Sequence, residues 1–370
     1  MSDLLEALRT PFTCKSLTVH SRIAMAPMTR YQSPDGLPGP AVLDYYRRRA
    51  ENDVGLIITE GVGIERAGAR PTDDVPNFFG EQALDMWQDI AEAVHTAGAA
   101  IAPQLWHIGG VPDISRPDAH PAPLESPSGL IGPDHPGGHV MSEEDIADTI
   151  AAYARAAGEA RRLGFDAVEV HAAHGYLIDQ FFWDATNKRG DAYGGASLRE
   201  RARFGAEICA AIRKAVGEDF TLIMRVSQWK TNWFDTKIAK SPGDFEEWLG
   251  PLADAGADIF HCSQRRFWEP EFDGSDLNMA GWVKKIVGKP TITVGSVGLN
   301  RDVFADFDGT TSHYESRLLQ DLVRRFERGD FDLVALGRVL LADPLWSRKV
   351  REGRYEELQP YSAEAMSVYY

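Results

Sequence analysis

Residues 166–195 read DAVEVHAAHGYLIDQFFWDATNKRGDAYGG, and the fold is decided there. Asp166 to Val170 reads as a short buried strand. His171, His174 and Tyr176 follow within six residues. Leu177, Ile178, Phe181 and Phe182 make a short amphipathic run, and a polar, glycine-ended loop closes the stretch. Immediately upstream, Leu163-Gly164-Phe165-Asp166 reads as a helix stopped by glycine and turned tightly into a strand. The same punctuation recurs at Ala255-Gly256-Ala257-Asp258. A strand with two imidazoles and a phenol at its carboxyl end is expected to floor an active site.

Working outward, short apolar strands alternate with amphipathic helices. The strands read as 22–26, 55–59, 100–105, 166–170, 220–226, 257–262, 290–294 and 332–336. Helical patterns occupy 40–52, 81–98, 142–163, 197–216, 244–255, 276–287 and 315–328. Nearly all-apolar strands, each followed by a helix, predict an α/β fold closed as a single (β/α)8 TIM barrel. An open doubly wound sheet would need an early G-x-G-x-x-G after its first strand, and none occurs. The whole chain, 1–370, reads as one domain. Strand-to-helix connections are long after the third (106–141), fourth (171–196), fifth (227–243) and sixth (263–275) strands. Residues 106–141, rich in Pro, Gly and His, read as a lid or hairpin excursion over the mouth.

Composition narrows the function. Net charge is −16, so nucleic acid is not an expected partner. No apolar run reaches the roughly 20 residues of a membrane span. The start, MSDLLEALRT, lacks the basic and apolar regions of a signal peptide. Cys14, Cys209 and Cys262 are scattered and odd in number, which argues against a disulfide framework and for the reducing cytoplasm. The expected partner is a small molecule. Monomer and homo-oligomer both stay open.

In such a barrel the carboxyl ends of the strands build the site. Strands 7 and 8 end in Gly295-Ser296 and Gly337-Arg338, where barrels bind phosphate through backbone N–H groups, with Arg338 as a forked cation; the alternative is that Gly295 and Gly337 are turn glycines and Arg338 a surface charge. Arg225, inside an apolar strand, needs an acceptor or an anionic ligand; the alternative is a structural ion pair. Gln104, in AIAPQL, needs its donor and acceptor matched, by a heterocycle or by barrel backbone. His171 and His174 have three readings. They are packing histidines, or metal ligands of a metal-dependent barrel hydrolase with His107 or His261 as companions. Alternatively they are neutral donors to a substrate carbonyl beside Tyr176 as proton donor. Only the last uses all three residues.

These residues stand in longer motifs: APMT (26–29), ITEG (58–61), QLWHIG (104–109), 171–195, MRVS (224–227), VGSVG (294–298) and GRVLLADP (337–344). In them the chain resembles the old yellow enzyme family of FMN-dependent ene-reductases, from roughly Arg22 to Arg354. The resemblance implies reduction of activated C=C bonds with NADPH or NADH by a ping-pong route. It implies Pro27, Met28 and Thr29 along the flavin, Gly61 leaving room for it, Gln104 at its pyrimidine edge and Arg225 by N1 and O2. Gly295, Ser296, Gly337 and Arg338 would hold its phosphate. His171 and His174 would bind the substrate oxygen, Tyr176 would give the proton, and Tyr31 would line the pocket. Two departures stand out: Gly110 where many members place Arg, and Gln228 where Pro is common.

Overall fold

The computed structural model describes residues 3–111, 122–302 and 310–370. A hairpin comes first, β1 (Phe12–Cys14) against β2 (Leu17–Val19). The barrel strands in the first half are β3 (Ile23–Met25), β4 (Leu56–Gly63) and β5 (Ala100–Trp106). Four short strands follow: β6 (Glu125–Ser126), β7 (Leu130–Gly132), β8 (His135–Pro136) and β9 (His139–Val140). The barrel resumes with β10 (Ala167–His174), β11 (Thr221–Lys230), β12 (Ile259–Ser263), β13 (Thr291–Val294) and β14 (Leu333–Leu336). The eight barrel strands pair in parallel and in chain order, and β14 closes onto β3. Helices α1 (Pro40–Ala50), α2 (Glu81–Thr96) and α3 (Glu143–Arg162) cover the first strands, and α4 (Leu177–Phe182) follows β10 directly. The expected (β/α)8 barrel is the observed one.

Local chemistry sets the helix boundaries. Ser142, Ser197 and Ser241 each accept the N–H three residues on, and that residue's carboxylate reaches back to close a capping box. Under the barrel, Leu17 and Val19 of the hairpin join an apolar cluster with Ile223, Ile259 and Ile292, all fully or almost fully buried. Each such side chain contributes about 1.5–3 kcal/mol. No helix among the described residues is long and apolar enough to cross a membrane.

The structure differs from the sequence reading in its element ends. β10 runs to His174 and β11 to Lys230, so the histidine pair and Trp229 lie on strands, not in loops. Polar side chains at a strand's functional end hid its length. Connections after β4 (64–80) and β13 (295–315) are long as well. The excursion after β5 does contain a hairpin, β7 with β8, and a parallel β6–β9 pair. Its residues 112–121 lie outside the described residues.

Candidate active site

Alternate residues of a barrel strand face the axis. Along that axis the interior changes from apolar to polar. Ala102, Ala167, Ile223 and Ile259 belong to the lower apolar cluster. Two residues further on, the same strands bring Gln104, Glu169, Arg225 and His261, all buried. Gln104 Nε2 donates to Glu169 Oε1 at 2.7 Å, and His261 Nδ1 lies 2.7 Å from Glu169 Oε2. Two residues above Glu169 stands His171, beside Arg225 in register.

The end of β10 is bent to aim its side chains. A register shift falls between Ala172 and His174, and His174 sits at φ +65°, followed by Gly175 at +84°. A left-handed non-glycine residue costs on the order of 1 kcal/mol or more and persists only when neighbours hold it. Here the His174 N–H donates to Ser227 Oγ at 2.9 Å, and the Thr231 N–H donates to the His174 carbonyl at 3.0 Å. The Gly175 N–H donates to Asp179 Oδ2 at 2.7 Å. Asp179 Oδ1 in turn meets Lys230 Nζ at 2.8 Å, an ion pair with both side chains wholly buried. Lys230 also donates to the Ser227 carbonyl at 3.1 Å. A turn so held brings His171, His174 and Tyr176 together. Ring centroids are 5.0 Å apart for the two histidines, 4.9 Å for His171–Tyr176 and 6.4 Å for His174–Tyr176.

Charge and hydrogen bonding define what these groups offer. Burial, and then the Arg225 charge, hold both His171 and His174 well below the ordinary histidine pKa. Both are neutral at pH 7 and each carries one N–H. His174 Nε2 lies 2.8 Å from Ser263 Oγ, and its ring stacks on Trp229 at 4.2 Å. His171 Nδ1 is buried with no protein partner, as is Arg225 Nε. Such groups in a cleft call for a ligand.

Beside them opens a cavity of about 190 Å³. Its lining includes Pro27, Met28, His174 and Arg225, together with Gly295, Ser296, Gly337 and Arg338. Arg338 donates to Ser296 Oγ at 3.0 Å and to the carbonyls of Arg301 and Asp302, each at 2.8 Å. Gly295 stands at φ +146°, and a Cβ there would lie 2.4 Å from the Gln264 carbonyl oxygen, so only glycine turns this corner. A cation beside a hydroxyl, Arg338 with Ser296, and the unpaired buried Nε of Arg225 suit a molecule with an anionic tail and an electron-rich ring. That is the chemistry of FMN.

Most of the predicted residues therefore meet around one space. Gln104 lies below it in the polar layer, with one donor already engaged by Glu169. Tyr31 and Tyr176 pack on the cluster of Val75, Trp106 and Ile108. Thr29 is half-buried and outside the cavity lining. Gly61 has a local reason of its own: a Cβ would lie 2.5 Å from the Trp106 indole, so its bareness admits that ring. His107 is also committed elsewhere. It pairs through Nε2 with Glu125 at 2.7 Å and accepts the Gly109 N–H at 3.0 Å, which ties the excursion to the barrel. Among the described residues no three His, Cys, Asp or Glu side chains are grouped to hold a metal ion. The hydrolase alternative thus lacks a ligand set there.

Both departures from the family pattern have local causes. At Gly110 a Cβ would lie 2.8 Å from the Leu130 carbonyl oxygen of the excursion. Gln228 braces the following loop: it accepts the N–H groups of Ile238 and Ala239 at 3.0 Å and donates to the Ala239 carbonyl at 2.6 Å. Proline could do neither.

Residues missed by sequence reasoning include Glu169, Ser227, Lys230, Asp179 and Ser263. Only Glu169 carried a signal, as the one charge in the inward register of DAVEV.

Residues 7–308 match the family model for the NADH:flavin oxidoreductase / NADH oxidase family. The chain is 41% identical over 264 residues to chanoclavine-I aldehyde reductase of Penicillium roqueforti, covering 70% of each chain. It is 30% identical to 12-oxophytodienoate reductase 7 of Oryza sativa subsp. japonica, over 91% of this chain and 86% of that one. An NADH oxidase of Thermoanaerobacter brockii is 32% identical over 93% of this chain, which spans 50% of that longer protein. The structure of morphinone reductase in complex with tetrahydroNAD superposes with a TM-score of 0.75 at 27% identity, covering 94% of this chain and 90% of that one. These matches fit a chain that uses an anionic-tailed, electron-rich ring, and the chain belongs to the NADH:flavin oxidoreductase family of old yellow enzyme as an FMN-dependent oxidoreductase.

Proposed function

We propose that the enzyme reduces the activated C=C bond of α,β-unsaturated carbonyl or nitro compounds with NADPH or NADH. The observation that carries this reading is the unpartnered, buried Nδ1 of neutral His171 beside the Tyr176 ring. FMN, held by Pro27, Met28, Thr29, Gln104, Arg225 and the Gly295, Ser296, Gly337 and Arg338 turns, would supply the hydride chemistry between nicotinamide and alkene. The protein's part is to hold and polarise. His171 and His174 donate to the carbonyl or nitro oxygen and draw charge off the alkene. Neutral imidazoles suit this task, since each donates a hydrogen bond through an N–H too weakly acidic to give its proton up to the substrate. Tyr176, held on the same turn, gives a proton to the α-carbon. Trp229 and Trp106 wall the pocket and exclude water. One pocket serves nicotinamide and alkene in turn, which makes the kinetics ping-pong. The relatives' names support carbonyl substrates, since an aldehyde, an oxo acid and a ketone are among them. The same reading takes residues 1–370 as one FMN-binding domain, with Tyr31 on the pocket wall.

Anaerobic half-reactions test it. Tyr176→Phe is expected to slow oxidation of the enzyme by 2-cyclohexenone at least tenfold, with reduction by NAD(P)H within about threefold of wild type. Equal losses in both half-reactions would remove Tyr176 from the proton step.

A further inference from the structure

The polar layer of the barrel contains a carboxylate that the proposed chemistry does not use. Glu169 is fully buried and faces the axis between Ala167 below and His171 above. We propose that Glu169 is a positioning residue for the cofactor: it locks the Gln104 side-chain amide with its carbonyl oxygen turned to the flavin cavity. The proposal rests on the reading that Gln104 meets the FMN pyrimidine edge.

The argument is one of donors and acceptors. A carboxylate oxygen facing an N–H accepts from it. Glu169 divides its two oxygens between Gln104 Nε2 and His261 Nδ1, each at 2.7 Å. Turning the Gln104 amide by 180° would set its carbonyl oxygen against a carboxylate oxygen at about that distance. Two acceptors in contact inside a protein repel, and a lost buried hydrogen bond alone costs about 1–3 kcal/mol. The amide is therefore fixed, presenting an acceptor and its second N–H. That pair matches an imide edge, where an N–H adjoins a carbonyl. The other oxygen fixes a tautomer. His261 must carry its proton on Nδ1 to donate to Glu169, so its Nε2 is a bare lone pair, and that atom has no protein partner. Arg225 is in register with His261 on the neighbouring strand. One carboxylate thereby orients groups on two strands.

A merely structural role makes a different prediction from a positioning one. FMN affinity is measured by dilution of the holoenzyme, with flavin fluorescence reporting release. Glu169→Gln keeps the volume but frees the Gln104 amide to turn, and it is expected to raise the FMN Kd about tenfold. In a Gln104→Ala background the same substitution is expected to change Kd by less than twofold, because its effect runs through Gln104. An unchanged Kd in Glu169→Gln, or a full tenfold effect in the Gln104→Ala background, overturns the proposal. An unchanged Kd in Gln104→Ala alone overturns the underlying reading instead. Should Glu169→Gln fail to fold, the exchange Glu169→Gln with Gln104→Glu keeps a donor–acceptor pair between the two positions. It turns a carboxylate, without an N–H, to the cavity. That protein is expected to bind FMN at least tenfold more weakly, and wild-type affinity in it would equally refute the assignment.

Discussion

Replacing Lys230 by Met tests whether the turn at Gly175 is held from beneath. Lys230 Nζ lies 2.8 Å from Asp179 Oδ1, and neither side chain is exposed. Removing the ammonium leaves a buried carboxylate facing only the Gly175 N–H at 2.7 Å. Breaking such a pair from one side costs about 3–5 kcal/mol. With about 2.1 cal/mol/K of unfolding entropy per residue, 370 residues give about 0.8 kcal/mol/K, so Tm should fall by about 4–6 °C. Part of the loss should appear in function, because Gly175 joins His174 to Tyr176. Lys230→Met combined with Asp179→Leu removes both charges, and an apolar pair of this kind is often neutral. The double variant should therefore recover most of the stability, short of the orphaned Gly175 N–H. Thermal unfolding of the four holoproteins gives the coupling energy directly. A coupling below about 0.5 kcal/mol, the level at which independent sites add, would show that the pair does not hold the turn.

Two further expectations come from the same geometry. Arg338→Ala should weaken FMN binding by about tenfold to a hundredfold, the worth of charge-assisted hydrogen bonds to a phosphate, as read by flavin release on dilution; wild-type affinity would move the phosphate elsewhere. Stability should fall steeply below pH 6.5. Burial depresses the pKa of His107, His171, His174 and His261 in the fold, so the unfolded chain binds the more protons as pH drops past the ordinary histidine value. Each contributes up to about 1.4 kcal/mol per pH unit. Glu60, pushed up to about 7 by burial, opposes one of them between its ordinary value and 7. Asp179 and Glu271, raised by burial, and His95, raised by its hydrogen bond to Asp166, oppose the fall as well, so the net slope stays below about 4 kcal/mol per unit. A Tm unchanged between pH 6.5 and 5.5 would contradict this.

The barrel was legible because its strands are buried on both faces and its helices are not. That contrast survives in the sequence as apolar runs between amphipathic ones. Strand ends were misread where the fold turns functional, as at His171 and Trp229, since polarity there serves the site and not the strand. Arg225 and Gln104 could be picked out as polar residues inside apolar runs. Their supports could not. Asp179 and Lys230 are 51 residues apart, and Glu169 and His261 are 92 apart, so their pairing is a product of barrel closure and leaves no local pattern. Gly61 shows the converse: its position was marked by the family resemblance, but its local reason, the Trp106 ring, needed the packing.

This flavoenzyme should pass electrons to an activated alkene, and an anaerobic titration of the purified protein, followed through flavin absorbance, measures that transfer. The protein should be yellow and be bleached by one equivalent of NADPH or NADH. Its colour should then return on adding one equivalent of 2-cyclohexenone or a nitroalkene, with the saturated product formed in the same amount. Colour restored by dioxygen but by no activated alkene would contradict it and leave an NADH oxidase in its place.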